Sequence, residues 1–195
     1  MPQLKMIFDA ENTPLPELTV PAGFRLRTVA DPELASYNEL RESVKFAAWD
    51  AERLRKFRSK VLPDSIFLIE EIATGRFAAS ATAETTDMED RPELGVLGWV
   101  MTHPDLRGRH LGRSVSIAAM RRLYDAGYRA FSLLTDDFRP AAVKTYLDLG
   151  WRPWLYLEDM EARWRALAEK FDRDFDSLGC LPPKCTFPPR QRRRP

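Results

Sequence analysis

The stretch Leu94–Thr102, LGVLGWVMT, carries no charge and is apolar at almost every position. A strand with one wet face alternates apolar and polar residues, whereas one apolar on both faces is covered on both and belongs inside a sheet. Gly95 and Gly98 within it point to a bulge, or to something approaching the backbone closely. The chain is therefore read around a covered central strand.

Other elements fall into order about it. FRLRTV at Phe24–Val29 alternates and predicts a first strand after Pro21-Ala22-Gly23. Asp31 and Pro32 are placed to cap and open a helix, with Glu33 in its first turn, and Leu40, Val44 and Ala47 keep helical spacing. A second short helix carries Leu54, Phe57 and Val61 and is expected to end at Pro63-Asp64. Ser65–Ile72 and Arg76–Glu84 flank Ala73-Thr74-Gly75 and predict a hairpin. Val115, Ala119, Leu123 and Ala126 predict a helix from Leu111 stopped by Gly127. A strand over Arg129–Thr135, a helix over Arg139–Leu149 stopped by Gly150, and a last strand over Trp151–Leu157 follow. Asp159–Phe175 is expected as a further helix outside the pattern. The order βααβββαβαβ implies an α+β (α/β three-layer) domain, a mixed central sheet flanked by helices.

The 195 residues suit a single domain, 1–195. Within it, 24–157 reads as the core, 158–178 as an extra C-terminal helix and 179–195 as a Pro/Arg-rich tail. The longest apolar run, Gly95–Met101, is far short of the roughly 20 residues of a membrane helix. The acids in MPQLKMIFDAENTPLPEL do not suit a signal peptide, so a cytoplasmic protein without a membrane partner is expected. A formal net charge of +1 argues against a dedicated nucleic-acid binder. That figure includes Arg190, Arg192, Arg193 and Arg194, which are expected to end the chain as a solvated, extended tail. Cys180 and Cys185 have no second Cys/His pair to complete a four-ligand metal set and are read as reduced thiols; no metal is expected.

The chemistry is expected in His103-Pro-Asp-Leu-Arg-Gly-Arg-His-Leu-Gly112, between the central strand and a helix. A helix start leaves backbone N–H groups unpaired at the positive end of its dipole, an arrangement that accepts phosphate or pyrophosphate. Gly108 and Gly112 admit close approach, and Arg107, Arg109 and Arg113 add charge. The loop fits neither G-x-x-x-x-G-K-[ST] nor G-x-G-x-x-G, so the common nucleotide motifs are excluded. A basic turn capping a core helix is the structural alternative.

Two motifs together resemble the GCN5-related N-acetyltransferase (GNAT) family. Arg107 and Gly112 keep the spacing of its Q/R-x-x-G-x-G/A loop. Ala142, Tyr146, Gly150 and, conservatively, Trp151 follow its N-x-x-A-x-x-x-Y-x-x-x-G-F segment. The resemblance covers about 24–157 and extends to the order of elements. Two positions depart from it: His110 replaces the loop's first glycine and Arg139 the asparagine. A side chain at 110 requires a negative or tolerated φ and a Cβ clear of the phosphates. Arg139 can reach the cofactor or face solvent.

The resemblance implies acetyl-CoA as cosubstrate and direct acetyl transfer to the amine of a small molecule or peptide. It implies that Val100, Met101 and Thr102 pair with the pantetheine arm through their backbone, and that N–H groups over Arg107, Gly108, Arg109, His110, Leu111 and Gly112 hold the pyrophosphate. Tyr146 would protonate the departing thiolate; a core aromatic is the other reading. Arg139, Ala142 and Tyr146 share one helix face, with small Ala142 leaving room. Glu84 and Glu93 are the candidates for general base, or else solvated edge charges. With Asp87, Glu89 and Asp90 they make an acidic hairpin that would attract a cationic amine if it borders the cleft. Tyr37, Phe46 and Trp49 either line the acceptor pocket or pack in the core. The altered loop and the lack of an obvious base leave a non-catalytic acyl-CoA-binding or sensing module as the alternative function. Trp164, Leu167 and Phe171 form an apolar stripe that serves the core or a homodimer seam.

Overall fold

A computed structural model describes residues 1–29, 34–86 and 91–191. Seven strands form one sheet: β1 (Leu4–Asp9), β2 (Phe24–Thr28), β3 (Val61–Glu71), β4 (Phe77–Thr85), β5 (Leu94–Thr102), β6 (Ala130–Thr135) and β7 (Arg152–Trp154). Its helices are α1 (Leu34–Ser43), α2 (Ala51–Arg58), α3 (Leu111–Asp125), α4 (Pro140–Asp148) and α5 (Met160–Lys170). The strand order is β2-β3-β4-β5-β6-β1-β7. Neighbours are antiparallel except β5 and β6, which run parallel.

Both faces of the sheet are covered, as the uncharged Leu94–Thr102 strand requires. On one side α3, α4 and α5 bury Val115, Ala119, Val143, Leu147 and Trp164 against Leu97, Phe131 and Leu133. On the other side α1, α2 and the segment joining them bring Tyr37, Leu40, Trp49, Leu54 and Phe57 over Leu68 and Met101. The small residues Ala79, Ala81 and Ala83 let α3 lie close to β4. Asp50 caps α2 by accepting the Arg53 N–H at 2.7 Å.

The structure corrects the expected elements at several points. The sheet takes a strand from outside the 24–157 stretch: β1 lies between β6 and β7. Its Leu4, Met6 and Phe8 enter the larger core, where Phe8 stacks on Phe131 at 5.7 Å, while Ile7 fills the opposite face. The second helix stops at Arg58 and β3 already begins at Val61, through Pro63. The last strand is three residues, not the seven of Trp151–Leu157, and the final helix ends at Lys170 rather than Phe175. Asp31, Pro32 and Glu33, the hairpin acids Asp87, Glu89 and Asp90, and Arg192, Arg193 and Arg194 lie outside the described residues.

Up to Gln191 the tail is not a solvated end. Leu181 exchanges backbone hydrogen bonds with β7 and its flank, donating to Pro153 at 2.8 Å and accepting from Leu155 at 2.9 Å. Phe187 meets Trp154 edge-on, Arg190 lies over the Tyr128 ring, and Gln191 donates to the Gly127 carbonyl. This strap covers the part of the sheet that α1 and α2 leave bare. Cys180 and Cys185 are half-buried, not bonded to each other, and their thiols are pushed up in pKa by burial, Cys180 to about 11.

Candidate active site

β5 and β6 pair only over Leu94–Val96 and Ala130–Ser132, and then part. From Leu97 to Thr102, β5 has β4 on one side and no strand on the other. The two strands are parallel, so the gap widens toward their C-terminal ends, where each turns into a helix. Ligand crevices in sheets with parallel strands form outside such diverging ends. Val100, Met101 and Thr102 stand on this open edge. Beside it β5 bulges: Trp99 and Val100 face the single residue Ala81 of β4, and Trp99 takes a left-handed φ of +48°. The predicted bulge thus adjoins Gly98, whose missing Cβ leaves the space taken by the Glu84 carboxylate.

The β5–α3 connection makes one 3-10 turn, Pro104–Leu106, before the helix starts at Leu111. The Arg107 N–H is spent on the Pro104 carbonyl, and Ser114 donates to His110. Between them, the N–H groups of Gly108, Arg109, His110, Leu111, Gly112 and Arg113 have no hydrogen-bond partner among the described residues. Six consecutive free donors stand at the start of a fifteen-residue helix, where the sequence leads one to expect an anion cradle; Arg107, counted in that expectation, is used internally. Arg107 and Arg109 are exposed beside it and Arg113 is half-buried.

His110 adopts φ +59°, in the left-handed region. The backbone therefore keeps a glycine-like conformation although the residue is histidine. Of the two conditions set for a side chain here, a negative or a tolerated φ, the first does not hold, and the left-handed conformation costs roughly 1–2 kcal/mol. Its ring makes no capping bond to the helix.

α4 starts from the end of β6, on the other lip of the gap. Its Val143, Tyr146 and Leu147 are buried; Tyr146 is 6% exposed and meets Trp151 at 6.3 Å. Burial pushes the Tyr146 phenol above its ordinary pKa, against the pull of the Arg139 charge, so it stays protonated at neutral pH. Arg139 pairs with Asp136 at 3.3 Å and lies over the rings of Phe46 at 4.9 Å and Phe138 at 5.4 Å. It thus joins the β6–α4 turn to the α1–α2 connection across the mouth of the gap.

The two candidate bases are separated. Glu84 pairs with Val96 across β4 and β5, accepts a hydrogen bond from Thr82, and lies beside the open segment. Glu93 precedes β5 at the end where the strands still pair, and it faces Arg91 at 3.7 Å. The geometry does not bring Glu93 to the gap.

Tyr37, Phe46 and Trp49 are on the face toward Glu84. Tyr37 and Trp49 are buried, and Phe46 is edge-on to Trp99 at 5.9 Å. Burial pushes the Tyr37 hydroxyl up to about 12, opposed by Ser80 and Arg41 and reinforced by Glu84. Sequence reasoning passed over Arg41 and Trp99, which sit at the centre of this group. Arg41 has the helical spacing to share a face with Tyr37, the one signal that pointed there.

Residues 34–151 match the model of the acetyltransferase (GNAT) family. A mycothiol acetyltransferase of Nocardia farcinica is 30% identical over 148 residues, covering 71% of this chain and 48% of that protein. One from Rhodococcus jostii is 30% identical over 163 residues, covering 73% and 49%. The chain thus spans about half the length of the curated relatives it matches. Among solved structures, a GCN5-related N-acetyltransferase from Sphaerobacter thermophilus shares the fold with a TM-score of 0.58 at 20% identity, covering 78% of this chain and 49% of that one.

Proposed function

The chain belongs to the GNAT acetyltransferase family, and on that premise we propose that it transfers an acetyl group from acetyl-CoA to an amine. The observation that carries the reading is the row of six unpartnered N–H groups over Gly108–Arg113 at the lip of the β5–β6 gap. A pyrophosphate fits that row, because it needs several donors converging on a helix start with positive charge nearby. The free edge of β5 fits an extended amide-containing arm, which would add to it as a strand does.

Acetyl-CoA supplies the acetyl group as an activated thioester. The residues of the chain have four tasks. Backbone N–H groups from Gly108 to Arg113, with Arg107 and Arg109, hold the pyrophosphate. Val100, Met101 and Thr102 orient the arm so that its thioester lies in the gap. A neutral amine attacks the carbonyl carbon, the C–N bond forms and the C–S bond breaks. The Tyr146 hydroxyl gives its proton to the departing sulfur, a task suited to a phenol kept protonated by burial. Glu84, directly or through water, takes the proton the amine loses; Glu93 is too far along β5 to share this.

The mycothiol acetyltransferase relatives favour a small-molecule amine acceptor over a peptide. The test is thiol release from acetyl-CoA with a panel of amines, alongside calorimetric binding of CoA. Turnover with any amine supports the reading. CoA binding without turnover across the panel identifies a non-catalytic acyl-CoA module instead. Tyr146→Phe should lower kcat by about 10- to 100-fold and leave acetyl-CoA affinity within about twofold. Unchanged kcat removes Tyr146 from the mechanism.

A further inference from the structure

Arg41 is 2% exposed. Its guanidinium stacks on Trp49 at 3.7 Å and lies 4.8 Å from the centre of the Trp99 ring. Nε donates to the Ala47 carbonyl at 3.0 Å, but Nη1 is sealed from solvent without a hydrogen-bond partner. Arg41 makes no ion pair among the described residues. Three more polar atoms nearby are in the same condition: the Tyr37 hydroxyl, the Ser80 hydroxyl and the Trp49 indole N–H.

Buried polar groups are nearly always satisfied, and an unpaired buried guanidinium is among the costliest exceptions. Four such groups on one sheet face are poorly explained by packing alone. All four can donate and one is cationic; the Tyr37 hydroxyl stands close enough to Ser80 and Arg41 to interact weakly with both, yet no hydrogen bond of normal length reaches Arg41 Nη1. A small anion, which only accepts, would complete all four at once. The planar fork of arginine matches a carboxylate.

The neighbourhood defines the rest of the ligand. Ser80, Thr82 and Glu84 alternate along β4 and share the face toward Tyr37, whose hydroxyl experiences both Arg41 and Glu84. Glu84 repels an anion and attracts an ammonium. Trp99, which walls Arg41, is also the bulge residue on the free edge of β5. One face therefore offers a cation and an anion in succession beside the gap that, on the acetyltransferase reading, holds the thioester.

We propose that Arg41 binds a carboxylate of the acceptor, so that the substrate is an amine bearing a carboxylate, with the amine toward Glu84. Arg41 is then a specificity-determining residue that takes no part in bond making. This inference rests on the acetyltransferase reading for its amine, but its anion site is tested separately.

The experiment compares matched acceptors, α- and ω-amino acids and dipeptides against the carboxamide of each, by thiol release. The wild-type protein should favour the acid of the best pair at least tenfold in kcat/KM. Arg41→Met should bring that ratio close to one, chiefly by raising KM for the acid. Equal or better turnover of the amides by the wild-type protein overturns the proposal even if Arg41→Met fails to fold. Preference for a phosphorylated amine over the carboxylate likewise overturns it. Tryptophan fluorescence is titrated with the same compounds in the presence of CoA, since Trp49 and Trp99 touch the guanidinium. Quenching by acids but not amides supports the carboxylate site even where no amine is acetylated, a result that would defeat only the transferase reading. No difference between acid and amide in either measurement overturns the proposal.

Discussion

Gly112 in the first turn of α3 lies so close to Thr102 at the end of β5 that a Cβ on it would stand 2.9 Å from the Thr102 hydroxyl oxygen. That approach draws the free N–H groups of the helix start against the open edge of β5. Gly112→Ala should improve the helix by about 1 kcal/mol of propensity yet push it off the strand. We expect stability close to that of the wild type and acetyl-CoA binding about tenfold weaker by calorimetry. Adding Thr102→Ala removes the obstructing atom and should restore most of the affinity. No recovery in the double variant would show that the two residues are not coupled through this contact.

His110 offers the opposite experiment. Its φ of +59° is relieved by glycine, which adopts this conformation without a Cβ penalty. Relief of roughly 1–2 kcal/mol of strain is reduced by glycine's extra entropy loss of about 0.5–1 kcal/mol. His110→Gly should therefore stabilise by about 0.5–1 kcal/mol and raise Tm by a few degrees, read from thermal unfolding. A lower Tm would mean that the imidazole makes a stabilising contact outweighing the strain.

What could be read from the sequence follows from how local each signal is. The uncharged faces of Leu94–Thr102 identified the central strand to the residue, and Gly127 marked the stop of α3 closely. The free N–H groups of the loop were legible because a helix start needs no distant partner to expose them. β1 was not legible: Leu4, Met6 and Phe8 become a strand only through Phe131 and Trp151, more than a hundred residues away. Arg41 offered only its helical spacing from Tyr37. One of three charges on a short helix, it looks solvated until the left-handed bulge at Trp99 brings a ring over it.

Two of the buried phenols, Tyr37 and Tyr146, give the protein an alkaline limit. Tyr37 has an ordinary pKa near 10 when unfolded and about 12 when folded, and Tyr146 is raised in the same direction. The folded state holds these protons more tightly. Their contribution is therefore complete below pH 10 and is lost as pH rises from 10 through 12, by roughly 2–3 kcal/mol for Tyr37. Urea midpoints should fall between pH 9 and pH 11, and Tyr37→Phe should flatten that fall. An equally steep fall in Tyr37→Phe would place the alkaline sensitivity elsewhere.

The docked strap can be released at its far end. Gly127, at φ +94°, accepts a hydrogen bond from the Gln191 N–H at 2.8 Å, and a Cβ there would stand 1.9 Å from the Gln191 carbonyl oxygen. Since that obstacle is backbone, no side-chain rotation clears it. Gly127→Ala must therefore both strain its own turn and evict the segment around Gln191, pulling Arg190 from Tyr128. Trypsin should then cut after Arg190 severalfold faster than in the wild type, with the sheet intact by circular dichroism. Deleting 188–195 should destabilise the wild type but cost the Gly127→Ala variant almost nothing more, because its tail contacts are already gone. Additive losses instead would mean that the tail stays docked and that Gly127→Ala acts through φ strain alone.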